Sequence, residues 1–244
     1  MNTQTAMTKT PTFADNKEEA LAFYCEFGYI IEPDMFTLAE CEELIRAAEN
    51  LPAFREGSFA PAMNPHRIGS IFLKALRNPK IVKIMELLVN GKVSGLQTEF
   101  FYGKPGTPGF SMHQDNYFVE APIGAFASAW TPMVDVTPER GGLIIFPKSH
   151  QAGPLPVVPT GKARDGAQDP NATREEVVLP PQYEPLHISV PRGATVFIHG
   201  HLVHSSNQNR SDVFRRVLLC TYIRSGETFR PGNTAKRTEV ELYS

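Results

Sequence analysis

From Gly91 onward the sequence breaks into short runs of Val, Ile, Phe, Thr and Tyr divided by Gly and Pro, the composition of strands joined by turns. The candidate strands are Gly95 to Tyr102, Ala125 to Val134, Gly142 to Phe146, Leu186 to Val190, Ala194 to His199 and Arg216 to Arg224. Several such strands in succession suggest an antiparallel sandwich or a jelly-roll barrel. The segment from Gln151 to Pro185 interrupts the rhythm with seven prolines and mixed charge, and reads as an insert, either a long loop or a lid.

The front of the chain follows a different period. From Asn16 to Phe27, Ala20, Leu21, Phe23, Tyr24 and Phe27 recur at helical spacing, and Gly28 stands where a helix C-cap would. A short extended piece, Tyr29 to Ile31, follows. Thr37 with Glu40 three residues on forms a capping box ahead of a second helix, whose apolar face is Leu44, Ile45, Ala47 and Ala48. Asn50 to Pro65 reads as loop, and Ser70 to Arg77 and Pro79 to Asn90 as two more helices, with Pro79 suited to a first turn. The expected class is therefore mainly β with flanking helices: residues 16–244 as a single domain, behind a frayed N-terminus of residues 1–15.

A chain of 244 residues buries roughly 70% of the surface its unfolded form exposes. It needs no metal or disulfide to hold a core, so any metal is free to be functional. Lys and Arg total 24 against 26 acidic residues, which leaves no basic field for nucleic acid. Cys25, Cys41 and Cys220 are odd in number and form no CxxC pair, a pattern that fits reduced thiols and excludes a cysteine zinc cluster. No apolar run approaches the ~20 residues that span a bilayer, and no signal-peptide stretch stands at the front, so a cytoplasmic protein is expected.

Two clusters carry the candidate chemistry. The first is Met112-His113-Gln114-Asp115, after a Gly/Pro-rich stretch; in an extended segment residues i and i+2 point the same way, so His113 and Asp115 can converge on one ion. The second is His199-Gly200-His201-Leu202-Val203-His204, about ninety residues later at the end of a predicted strand. Two histidines and one carboxylate make the facial triad of non-haem iron(II) sites, which leaves coordination positions open. An isolated HxD arises readily by chance, and on spacing alone His199, His201 and His204 compete for the third position.

The surrounding sequence is more specific. Gln97, Trp130-Thr131, the run Asp135 to Gly142, Pro147-Lys148-Ser149-His150 and the run His204 to Arg216 together resemble the phytanoyl-CoA dioxygenase family of iron(II)- and 2-oxoglutarate-dependent oxygenases. The likeness runs from Phe27-Gly28-Tyr29 to Arg215 and thins in the insert. It implies a double-stranded β-helix core with Fe(II), 2-oxoglutarate and O2 as cofactor and co-substrates. By position it implies His113, Asp115 and His204 as metal ligands and catalytic centre, His204 being preferred because the family places an arginine eleven residues after the distal histidine, where Arg215 stands. Arg215 would hold the remote carboxylate of 2-oxoglutarate, a task that suits a planar guanidinium, with Ser206 on the same carboxylate and Gln97 and Trp130 lining the co-substrate pocket. Arg216 must then point the other way.

The implied reaction is hydroxylation of an unactivated C–H bond of a small metabolite or natural-product intermediate, with release of succinate and carbon dioxide. Halogenating relatives have a small residue where Asp115 stands. Tyr117, Phe118 and Arg67 are candidate substrate contacts. The alternatives are a cupin-like metalloenzyme that does not use 2-oxoglutarate and a non-catalytic small-molecule-binding barrel.

Overall fold

The computed structural model describes residues 7–160 and 174–243. Asn16 accepts from the Glu18 and Glu19 amides and opens helix α1 (Lys17–Phe27). Gly28 closes it at φ +82°, where a Cβ would stand 2.4 Å from His150 Nδ1, so the position excludes side chains on both conformation and space. Strand β1 (Tyr29–Glu32) follows directly. The capping box between Thr37 and Glu40 is formed and starts helix α2 (Leu38–Glu49). The stretch expected as loop holds a short helix α3 (Pro52–Arg55) and a strand β2 (Ala62–Met63). Pro52 sits at the first helical position, where a missing N–H costs nothing, and β2 is held by its partner strand rather than by its own sequence. Helices α4 (Ser70–Leu76) and α5 (Pro79–Leu88) complete the front.

The remaining strands are β3 (Val93–Gly103), β4 (Phe126–Pro132) after a short helix α6 (Asn116–Val119), β5 (Leu143–Ile145), β6 (Val157–Pro159), β7 (Glu175–Val177), β8 (Leu186–His187), β9 (Thr195–His199), β10 (His204–Ser206) and β11 (Arg215–Arg224). The large sheet runs β1-β9-β4-β11-β3-β2 and the small sheet β10-β5-β8, every pairing antiparallel. Val136 bridges to Val190 beyond β8, which accounts for the longer strand expected there.

Alternation along β3, β4 and β11 builds two cores at once. Phe100, Tyr102, Ala127, Ala129, Leu218, Cys220 and Tyr222 pack against the helices, with Phe72, Leu76 and Met85 opposite. Phe101, Trp130 and Val217 turn to the other side, against Leu143 and Ile145 of the small sheet. Arg215 shares the face of Val217, and Arg216 points to the helices, where its Nη2 meets Glu49 Oε1 at 2.6 Å. The face assignment of the two arginines thus follows from the strand period.

Residues 8–13, expected to fray, are tied to the body. The Thr8 amide donates to Ser189 O at 2.9 Å, and the Thr10 hydroxyl donates to Ile31 O while its oxygen accepts from Ile31 N. The Thr10 hydroxyl thus satisfies Ile31 on the otherwise open edge of β1. In the insert, β6 and β7 form a two-stranded ribbon; Val177 donates to Met112 O and is buried with Phe146 and Val203. Residues 161–173 of the insert lie outside the described residues, as do residues 1–6 of the N-terminus.

Candidate metal centre and its cavity

After β3 the chain returns along the small sheet through Gly109, where a Cβ would fall 1.8 Å from Ser206 O; only glycine permits that approach. Four residues on, His113 and His204 exchange both backbone hydrogen bonds, at 2.9 and 3.0 Å, as an isolated antiparallel bridge at the start of β10. Asp115 does not continue the extended segment. Its φ of −57° and ψ of −36° place it at the start of α6, so the acid reaches the histidines by a helical turn instead of by the i, i+2 alternation the sequence suggests.

The result is a tight cluster. Asp115 Oδ1 lies 3.5 Å from His113 Nε2 and 3.6 Å from His204 Nε2, and one ligand atom from each residue falls within 4.8 Å of the others. Both Nδ1 atoms face backbone carbonyls two residues back: His113 to Ser111 O at 2.8 Å and His204 to Leu202 O at 3.1 Å. A carbonyl only accepts, so each Nδ1 carries the hydrogen and each Nε2 lone pair is directed at the shared point. The Ser128 hydroxyl donates to Asp115 Oδ2 at 2.5 Å and leaves Oδ1 on the histidine side.

Burial works against the Asp115 charge, but His204, His113 and the Ser128 hydroxyl outweigh it and hold the carboxyl well below the usual range. Burial pushes His204 down to about 4, with His113 acting in the same direction. At His113 burial also opposes the charge, and the Asp115 carboxylate overcomes it, so that ring is shifted up.

The rivals in the histidine cluster are engaged elsewhere. His199 Nδ1 accepts from the His201 amide and its ring lies 4.9 Å from His150; His201 Nε2 faces Asn116 Nδ2 at 3.2 Å. Of the three, His204 alone joins His113 and Asp115.

His113 and Asp115 open onto a cavity of about 700 Å3. Gln97 and Glu99 line it from β3, Leu219 and Thr221 from β11, Phe110 and Phe118 beside the ligands, and the segment Arg230 to Ala235 with Arg237 from the C-terminal end of the chain. Gln97 and Phe118 therefore stand where a site contact would. Tyr117 does not line this cavity: it is 39% exposed and its hydroxyl donates to Glu175. Arg67 is also outside it, donating to Lys236 O and Thr238 Oγ1, so it secures the C-terminal segment. Arg215, Ser206 and Trp130 are buried but do not line the cavity. Arg215 donates to Gly141 O at 2.7 Å, Ser206 Oγ accepts from the Phe110 amide at 2.9 Å, and Trp130 belongs to the core between the sheets. Burial pushes the Arg215 guanidinium down to about 10.

Ser128, Glu99, Thr221 and Arg237 escaped the sequence reading. Glu99 is two residues from Gln97 and Thr221 six from Arg215, so strand alternation signals both; nothing local signals that residues 230–237 return to the cavity.

Residues 24–217 match the family model described as phytanoyl-CoA dioxygenase (PhyH). The chain belongs to that family. Similar relatives include a probable phytanoyl-CoA dioxygenase of Caenorhabditis elegans, 26% identical over 207 residues that make up 75% of this chain and 64% of that protein. The peroxisomal phytanoyl-CoA dioxygenase of Rattus norvegicus is 28% identical over 158 residues, 59% of this chain and 43% of that protein. The chain thus spans less than two thirds of the length of these relatives.

Among solved structures, the non-heme alpha ketoglutarate dependent carbocyclase SnoK from nogalamycin biosynthesis superposes with a TM-score of 0.72 at 23% identity, covering 92% of this chain and 91% of its own. The epimerase SnoN in complex with Fe3+, alpha ketoglutarate and nogalamycin RO gives 0.71 at 20% identity, covering 89% and 87%. This phytanoyl-CoA dioxygenase family member has the fold of those oxygenases, mainly β with antiparallel sheets of jelly-roll type.

Proposed function

We propose that this family member is a non-haem iron(II)- and 2-oxoglutarate-dependent dioxygenase that hydroxylates an unactivated C–H bond of a small molecule, with release of succinate and carbon dioxide. The observation that carries the reading is the convergence of His113 Nε2, His204 Nε2 and Asp115 Oδ1 on one point at the wall of a cavity. Two neutral imidazoles and one carboxylate suit iron(II) and leave the remaining positions of its shell for other ligands. Iron with 2-oxoglutarate and O2 supplies the oxidising power, and the rest of the task falls to the chain.

Ser111 O and Leu202 O fix the imidazole tautomers, and Ser128 orients Asp115. Phe110 and Phe118, each 6.3 Å from the His113 ring, hold water off one side of the centre. Arg215, eleven residues after His204 and 4% exposed, is the residue we assign to the remote carboxylate of 2-oxoglutarate, with Ser206 assigned to the same carboxylate and Gln97 to the co-substrate pocket, while Trp130 serves the core between the sheets. His113, Asp115 and His204 are assigned as metal ligands, and Phe118 as a substrate contact.

We read the core as a double-stranded β-helix within one domain of residues 16–244, because the antiparallel sheet β1-β9-β4-β11-β3-β2 packs through Phe101, Trp130 and Val217 on Leu143 and Ile145 of the second antiparallel sheet β10-β5-β8. The insert of residues 151–185 is assigned to the mouth, since its ribbon hydrogen-bonds Met112 next to the ligand pair. No described helix is long and apolar enough to cross a membrane. Three free cysteines support a reducing, cytoplasmic setting.

The test is uncoupled turnover: purified protein with iron(II), O2 and labelled 2-oxoglutarate should release labelled carbon dioxide slowly. Asp115→Ala should abolish the release, and Arg215→Ala should raise the KM for 2-oxoglutarate. Release that is unaffected by either substitution would sink the assignment.

A further inference from the structure

Arg237 is a buried cation that the fold has placed on the cavity wall with no carboxylate bonded to it directly. It is 9% exposed, and among the described residues it forms no ion pair. Its Nη1 donates to two backbone carbonyls, Phe118 O at 3.0 Å and Arg230 O at 3.3 Å. Nε has no hydrogen-bond partner, and Nη2 makes none among the described residues. Nε and Nη2 form one edge of the guanidinium, the edge that accepts a carboxylate through two parallel hydrogen bonds.

The position is built, not accidental. Residues 231–237 close a tight turn, with the Arg237 amide donating to Pro231 O and the Lys236 amide to Gly232 O, and Gly232 leaves room where a Cβ would stand 3.0 Å from Arg237 Nη1. From the outside, Asn64 Nδ2 donates to Ala235 O and Arg67 to Lys236 O. The neighbour Arg230 cannot play the same part, because its guanidinium is spent on Glu120 and on the carbonyls of Tyr117 and Phe118. Burying a guanidinium with one edge unpaired is costly, and a ligand anion on that edge recovers the cost. On the same wall Phe118, Val119, Phe126 and Leu219 supply an apolar stretch, while Glu99 and Asp115 are the acidic groups near enough for their charges to be felt at Arg237.

We propose that Arg237 is the recognition group for an anionic substrate, an organic acid whose carboxylate docks on the Nε/Nη2 edge while its apolar body lies against Phe118, Phe126 and Leu219 and reaches toward the centre. The inference rests on the oxygenase reading of this site. A purely polar metabolite would leave the phenyl and leucyl walls unsatisfied, and a neutral hydrocarbon would leave the guanidinium so.

The experiment uses the full chain, loaded anaerobically with iron(II) and 2-oxoglutarate, and matched neutral and anionic probes: 4-phenylbutanoate against 4-phenylbutanamide, with phenylpropyl phosphate as a second anion. The acid should bind at least about tenfold tighter than the amide, since a charge-assisted bidentate pair distinguishes them. Arg237→Gln should bring the two within about threefold, and Arg237→Lys should restore part of the preference, which a merely structural role would not produce. Binding of 2-oxoglutarate, read separately from its visible charge-transfer band, should persist in both variants. Equal binding of acid and amide by the parent, or a preference that survives in Arg237→Gln, would overturn the proposal. A band lost in Arg237→Gln but kept in Arg215→Ala would overturn it too, by assigning Arg237 to the co-substrate. Absence of the band in the parent would be a failure of the oxygenase reading itself. If only the phosphate discriminates, the carboxylate assignment is wrong.

Discussion

Ser128 never faces the point where the three ligand atoms meet, yet it decides which carboxylate oxygen does. Its hydroxyl occupies Asp115 Oδ2 and leaves Oδ1 to the histidines. Partners of this kind are worth 10–100-fold in metal affinity, so Ser128→Ala is expected to weaken iron(II) binding by about tenfold or more in an anaerobic titration, with the fold intact. An unchanged affinity would remove Ser128 from the account. Two histidines away from the centre set a pH dependence. Burial pushes His66 down to about 4 and His199 to about 3, so the folded state holds them neutral. The unfolded chain takes up those protons near pH 6.5; stability is fully present above that value and is lost as pH falls toward 4. Chemical denaturation at pH 7.5 and pH 5 should show a drop on the order of 1–3 kcal/mol that shrinks in a double His66→Gln, His199→Gln variant. The metal-binding residue types were legible from HxD and the histidine cluster, and the family spacing to Arg215 selected His204. Ser128 was not legible, because a serine within a strand carries no local mark of the acid it meets thirteen residues back in sequence.

At the scale of elements, the first helix depends on its end. Gly28→Ala meets both a left-handed φ and the His150 ring, so a loss of about 1–3 kcal/mol is expected, read as a lower melting temperature in calorimetry. No loss would mean that the turn relaxes. Local signals of this type, a cap, a capping box, a proline at a first turn, made α1, α2 and α5 readable almost to the residue. Two features were not readable for the same reason, that partners distant in sequence create them. Strand β2 exists because β3 offers an edge at Glu99 and Phe100, and the turn at Asp115 is held because the Asn116 amide donates to Gly200 O while its side chain donates to Ala121 O and accepts from the Ala121 amide.

At the scale of the molecule, β11 lies between β3 and β4, and one strand serves two purposes. Its even-numbered residues Leu218, Cys220 and Tyr222 join the helices to the sheet, while Leu219 and Thr221 line the cavity on the other side. Phe100 on β3 is fully buried among Phe72 and Tyr102, and Phe100→Ala is expected to cost about 3–5 kcal/mol by urea denaturation while the ligand cluster, on the opposite face, keeps its metal affinity. A parallel loss of metal affinity would show that the two faces are not independent. The mainly β architecture was legible from the strand rhythm; the closure of the cavity by residues 230–237 was not, because that segment has neither period nor motif and is fixed by Asn64 and Arg67 from the far end of the chain.

The central claim, one iron(II) on His113, Asp115 and His204 with 2-oxoglutarate held by Arg215, is tested most directly by anaerobic titration of the metal-free protein with iron(II) and then 2-oxoglutarate. The expected result is a weak visible metal-to-ligand charge-transfer band in the parent, absent in His113→Ala and absent or requiring far more 2-oxoglutarate in Arg215→Ala. Iron(II) binding in the parent without any band on adding 2-oxoglutarate would contradict the account and favour a metalloenzyme of the same fold that does not use this co-substrate.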